Sequence, residues 1–185
     1  MKSIRHWYEE LGAEGYYRAK GDEYANPHVE QIHQLIQQNE SRIDYTQLLD
    51  LSCGGGEVSE AVLNLGYKNV LGCDPYTHEL YRQRLQHPCL EWGFDDLLRG
   101  ALQGQFSTII ASFALHLCPE EQLFPLTYAL FQNSPQLVVI SPHKRPALEP
   151  LEGVQLQFED FTLTERGKKV RLKAYSASFA MLPKD

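Results

Sequence analysis

Three consecutive glycines, Gly54, Gly55 and Gly56, follow the run Leu48-Leu49-Asp50-Leu51 through Ser52 and Cys53, and a second acid, Asp74, stands 24 residues beyond Asp50. Each glycine costs roughly 0.5–1 kcal/mol relative to alanine inside a regular element. A run of three therefore marks either a plain loop or a place where a ligand must touch backbone. The form of the run limits the chemistry. A phosphate-binding loop requires GxxxxGK followed by Ser or Thr, and no lysine follows here. A dinucleotide fingerprint requires a third glycine where this chain has Ser59. Cys53, Cys73, Cys89 and Cys118 form no CxxC pair, which suits buried free thiols in a reducing compartment better than disulfides or a metal site, so no metal is expected.

The elements that must hold these residues alternate along the chain. Val29, Ile32, Leu35 and Ile36 recur at helical spacing over Pro27–Asn39, with Asn26 as the expected N-cap. Short apolar runs at Thr46–Ser52, Asn69–Asp74, Cys89–Phe94, Phe106–Phe113 and Gln136–Pro142 read as strands. Helical patterns at Gly56–Tyr67, Thr77–His87, Asp95–Leu102 and Pro119–Asn133 separate them, the last with Pro125 expected to kink or break it. Lys144–Gly153 holds two prolines and a glycine and makes a poor crossover helix. Val154–Thr164 and Lys168–Leu182 then alternate polar and apolar residues around Glu165-Arg166-Gly167, which predicts a β-hairpin. The expected fold is α/β: a doubly wound, mostly parallel seven-stranded sheet ending in a C-terminal antiparallel hairpin. In such sheets ligands bind beyond the carboxyl ends of the strands, and the glycine run occupies the first strand-to-helix turn.

The stretch resembles the first motif of class I S-adenosylmethionine-dependent methyltransferases, usually LDLGCGTG. Leu49, Asp50, Leu51, Cys53, Gly54 and Gly56 match; Ser52 replaces the first glycine and Gly55 the threonine. The resemblance extends over about residues 28–182 and implies S-adenosyl-L-methionine as cofactor. It implies that Asp50 orients the loop and the cofactor's amino group, with the backbone of Ser52, Cys53, Gly54 and Gly56 against the methionine moiety. It implies that Asp74, at the end of the second strand, accepts both ribose hydroxyls. After the third strand it offers Phe94, Asp95 and Asp96, with Asp95 favoured for the adenine amine and Phe94 for the ring. After the fourth it places Ser112 beside the cofactor and His116 outward, as a candidate catalytic base. Two plainer readings stand beside these: Asp74 as a helix N-terminal acid, and His116 as a polar residue closing a strand end.

Residues 1–27 carry Trp7, Tyr8, Tyr16, Tyr17 and Tyr24, five of the twelve tryptophans and tyrosines, together with Gly12, Gly15 and Gly21. They are expected to form an aromatic lid segment ahead of a methyltransferase domain at 28–185, with Tyr17 and Arg18 closing over the cofactor. Packing of the same aromatics on the core is the alternative.

The net charge of −7 disfavours a protein that grips nucleic acid over a large surface, although His143–Arg145 and Glu165–Lys173 are locally basic. The Asn/Asp-Pro-Pro-Tyr/Phe motif of base-amino methylases is replaced by Ser112-Phe113-Ala114-Leu115. A small-molecule acceptor is the expectation. No apolar run approaches the ~20 residues of a membrane span, and no apolar signal region follows the basic start, so a cytoplasmic protein with no membrane partner is expected. The motif leaves the acceptor and the oligomeric state open. The alternatives are a non-catalytic S-adenosylmethionine-binding member of the fold, or a nicotinamide-dependent oxidoreductase, against which the missing third glycine and the hairpin speak.

Overall fold

The computed structural model describes residues 11, 12, 15, 16, 18–20 and 25–180. From residue 25 onward the elements are α1 (Val29–Gln38), β1 (Leu48–Leu51), α2 (Glu57–Asn64), β2 (Val70–Cys73), α3 (His78–Leu85), β3 (Cys89–Leu90) and α4 (Phe94–Leu98). There follow β4 (Thr108–Ser112), a 3₁₀ turn (Leu115–Leu117), α5 (Glu120–Phe131), β5 (Leu137–Ser141), β6 (Val154–Leu163) and β7 (Lys169–Ala177). The described residues among 11–20 are helical.

One seven-stranded sheet runs in the order β3-β2-β1-β4-β5-β7-β6. The first five strands of that order are parallel. β7 is antiparallel to both of its neighbours, pairing Ser141 with Arg171 on one side and Leu163 with Lys169 on the other.

The strands read as solid apolar runs because both faces are covered. Leu48, Ile110 and Val138 pack under α1 and α2 with Ile32, Leu35, Val58 and Val62. Their neighbours Leu49, Ile109 and Leu137 point the other way, toward α4 and α5 with Leu97, Leu126 and Leu130. Asp50 has the parity of Leu48, so the strand alternation aims its carboxyl at α2.

Three local expectations differ in detail from the structure. α5 continues through Pro125 with no break there. Pro125 is exposed, and so is Glu121, whose carbonyl loses the i+4 bond, so water can serve the freed group. β3 is two residues long, because the Gly93 backbone N–H donates to Asp96 Oδ2 at 2.9 Å and starts α4 already at Phe94. The N-cap position of α1 is His28, and Asn26 instead accepts the His28 N–H one turn earlier, at 2.9 Å. Lys144–Gly153 contains no helix, as its prolines and glycine predict. No helix among the described residues is long and apolar enough to cross a membrane.

Candidate active site

The strand order reverses between β1 and β4, where the connections diverge to opposite sides of the sheet. A cleft of about 530 Å³ opens there, over the carboxyl ends of β1, β2 and β4. Ser52, Gly54, Asp74, Phe94, Asp95 and Ser112 all line it. Six residues chosen from sequence thus meet in one cavity.

The glycine loop is built from left-handed backbone: Ser52 has φ 51°, Gly54 φ 56° and Gly56 φ 90°. Gly56 caps α2, and a Cβ there would sit 2.5 Å from Leu85 Cδ1 and 3.0 Å from Tyr81 Cδ2. The close approach at Gly56 is thus to α3, while Gly54 faces the cleft. Ser52 holds a conformation that costs a non-glycine residue roughly 1–2 kcal/mol. Ser52→Gly relieves it and adds unfolded-chain entropy of about 0.5–1 kcal/mol. A small net stabilisation in urea titration is the expected result; a loss would assign the Ser52 hydroxyl a structural bond.

Asp50 is 1% exposed and stands behind the loop rather than in the cleft. Its Oδ2 accepts the Ser59 N–H at 3.1 Å and the Ser59 hydroxyl at 2.6 Å, and Tyr81 donates to that hydroxyl at 2.8 Å. Ser59 thus occupies the missing glycine's place and anchors α2 to β1. A polar residue on the buried face of an amphipathic helix was the available signal for it. Asp50 Oδ1 has no partner, and burial pushes the carboxyl pKa up to about 8 against the opposing Ser59 hydroxyl bond, with Glu57 raising it further.

Asp74 is 7% exposed and knits three backbone groups. Its Oδ1 accepts the Tyr76 and Thr77 N–H groups at 2.8 and 3.0 Å, and its Oδ2 accepts the Gly54 N–H at 3.3 Å. The acid therefore serves the start of α3 and also joins the end of β2 to the glycine loop. Both carboxylate oxygens retain lone pairs for further donors.

At the end of β4, Ser112 Oγ is buried without a partner, and Phe113 takes φ 56°. The His28 ring stacks on Phe113, centroids 5.1 Å apart and 19° from parallel. The segment before α1 therefore meets the carboxyl edge, where His28 reaches the end of β4. Sequence reading did not single out His28, whose helix-start position masks its role. His116 lies on the 3₁₀ turn beside the cleft, not among its lining residues, with His143 5.5 Å away edge-on. Desolvation and then His143 hold its pKa below the ordinary histidine value, which keeps a neutral imidazole available as a proton acceptor.

Cys53 points away from the cleft, its sulfur 3.6 Å from that of Cys89, and burial raises its pKa. Burial likewise pushes Cys118 up to about 11, away from nucleophile chemistry. Arg18 is exposed, Tyr16 is buried, and Tyr17 lies outside the described residues, as do Trp7, Tyr8 and Tyr24.

No protein-family model matches the chain. It is 31% identical over 187 aligned residues to the uncharacterized protein C17A5.05c of Schizosaccharomyces pombe, covering 77% of this chain and 76% of that one. Solved structures with the same fold include magnesium protoporphyrin IX methyltransferase from Synechocystis PCC 6803 with bound SAM (TM-score 0.64, 18% identity, 95% of each chain). The N-methyltransferase NodS of Bradyrhizobium japonicum, in complex with S-adenosyl-L-homocysteine, aligns with a TM-score of 0.64 at 13% identity, over 83% of this chain and 89% of that one. The ribosomal protein L11 methylase of Lactobacillus delbrueckii subsp. bulgaricus gives 0.58 at 18% identity, over 83% and 80%.

Proposed function

The chain belongs to one family with the uncharacterized Schizosaccharomyces pombe protein and has the class I methyltransferase fold, and on that premise we propose that it is an S-adenosylmethionine-dependent methyltransferase acting on a small molecule. The observation that carries this reading is the convergence of Gly54 and Asp74, hydrogen-bonded to each other, with Phe94, Asp95 and Ser112 in one cleft. The residues fit the cofactor. Asp74 has free lone pairs for ribose hydroxyls, Phe94 offers a ring face to adenine and Asp95 an acceptor to its amine. The orphaned Ser112 Oγ is a buried polar group that still needs a partner.

When bound, the cofactor supplies an electrophilic methyl group on a sulfonium, which leaves as a neutral thioether. The protein's part is to hold the acceptor in line with that methyl and to keep water out. His116 acts as base only where the acceptor must lose a proton. The thermal shift with S-adenosylhomocysteine is the direct test. A ligand at ~100 times its dissociation constant adds about 2.7 kcal/mol of stability. No shift at saturating ligand would reject the reading. A non-catalytic cofactor-binding role is favoured by one observation, the strained serine at the first motif glycine. It gains if the cofactor binds and no labelled methyl passes to any fraction of small metabolites.

Residues 1–27 form the lid in this proposal, with Arg18 and Tyr17 over the cofactor. The His28–Phe113 stack, directly after the segment, supports this reading. Proteolysis after Arg18 or Lys20 should slow when S-adenosylhomocysteine is added. Equal rates with and without it remove the lid.

A further inference from the structure

The cations of this acidic chain are not scattered evenly around the sheet. Arg82, Arg84, Arg99, Arg171 and Lys173 all stand in ion pairs. Arg42 and Lys169 lie over the Phe158 and Phe161 rings, and Lys68, in no ion pair among the described residues, precedes β2 at the other end of the strands. Lys144, Arg145, Arg166 and Lys168 are exposed and have no ion-pair partner among the described residues. All four belong to one edge. Lys144 and Arg145 follow the carboxyl end of β5. Because β7 runs antiparallel and pairs Arg171 with Ser141, the β6–β7 turn carrying Arg166 and Lys168 projects from that same end. The strand order β4-β5-β7-β6 spans three inter-strand steps, so the strip extends about 14 Å from the end of β4.

The strip joins the cleft through histidines. His28 packs on Phe113, a lining residue of the cleft, and burial foremost, then His143 and Lys168, lower its pKa. His143 in turn meets His116. His28 Nδ1 and Ser112 Oγ are buried and unpartnered at this junction. On the opposite side acids predominate: Asp95 and Asp96 line the cleft, Arg99 there being paired with Asp96, and Glu120 and Glu121 open α5. A long polyanion laid along the edge would run from the cations into four acids. A short anion reaching from the β4 end onto the strip would not.

Resting on the methyltransferase reading, we propose that the acceptor is a small molecule bearing a phosphate or carboxylate group, held by Lys144, Arg145 and Lys168 while His28, Phe113 and His116 border the atom to be methylated. The cations act by position and charge and take no part in bond making. They fix which end of the acceptor enters the cleft.

Calorimetric titration of the full chain with sodium tripolyphosphate and with citrate, at low and at physiological ionic strength, tests this. The wild type should bind at least one of the two. The triple variant Lys144→Gln, Arg145→Gln, Lys168→Gln should bind it at least tenfold more weakly. Preference between the two anions tells phosphate from carboxylate. S-adenosylhomocysteine affinity, measured in parallel, should be the same in both proteins and reports that the variant is folded. Failure of the wild type to bind either anion overturns the proposal, as does equal binding by the variant. It is also overturned if polyglutamate or a single-stranded oligonucleotide binds while both small anions fail. Should the wild type bind an anion but not S-adenosylhomocysteine, the methyltransferase reading fails and the acceptor assignment falls with it, by a readout separate from the anion titration.

Discussion

Asp74→Ala lowers the affinity for S-adenosylhomocysteine at least tenfold and destabilises the free protein as well. A carboxylate accepting ribose hydroxyls makes charge-assisted bonds on the order of 1.5–3 kcal/mol each, so losing even one exceeds a tenfold effect. The destabilisation has a different source. Asp74 accepts the N–H groups of Gly54, Tyr76 and Thr77, and removing it leaves donors at the glycine loop and at the start of α3 unserved. Unpaired buried donors cost about 1–3 kcal/mol each where water cannot reach them. Asp74→Asn separates the two effects, because the amide keeps one acceptor oxygen but no charge. It should hold the fold better than alanine and still bind the ligand more weakly than aspartate. Calorimetric titration alongside urea denaturation reads both quantities. An alanine variant that is folded and binds as tightly as the wild type would place the ribose elsewhere.

Between about pH 4 and pH 8 the stability of the wild type should fall relative to that of Asp50→Asn. Burial raises the Asp50 carboxyl to about 8 in the folded protein, while an unfolded aspartate titrates near 3.9. The folded state therefore holds the extra proton between those values. A group with a raised folded pKa contributes stability that is fully present below its unfolded pKa and is lost as pH rises through the folded one. The expected slope of the difference is about 1.4 kcal/mol per pH unit, levelling off above pH 8. The amide in Asp50→Asn would keep the Ser59 bonds through its carbonyl and carries no proton to lose. Urea midpoints at unit intervals from pH 5 to pH 9 measure it. A difference that stays constant with pH would mean that Asp50 titrates as an ordinary surface acid, and that its isolation behind the loop is wrong. Burial also raises the Glu57 carboxyl, which both proteins carry.

The features legible in the amino-acid sequence are those that depend on near neighbours. Short apolar runs marked the five parallel strands, alternation marked the terminal hairpin, and helical patterns marked α1 to α5, because each element's own side chains must fill the faces it buries. The glycines declared the first turn, since few other residues adopt φ 56° or 90° cheaply. The spacing from Asp50 to Asp74 is set by one strand–helix–strand unit, which is why the ends of β1 and β2 could be located from sequence, although only Asp74 of the two lines the cleft. Boundaries slipped where a single polar contact overrode the pattern, as when Asp96 opened α4 at Phe94.

What tertiary structure alone decided are relations between residues remote in the chain. Hairpin patterning does not say which strand meets β5, and only the folded sheet places β7 inside and β6 at the edge. That choice carries Lys168 to the same end of the sheet as the cleft. The same holds for His28 on Phe113, a pairing of residues far apart in the chain. It holds for Asp50 too, whose type is local but whose proton affinity is set by complete removal from water. Packing and desolvation are properties of the assembled surface, and no stretch of chain contains them by itself.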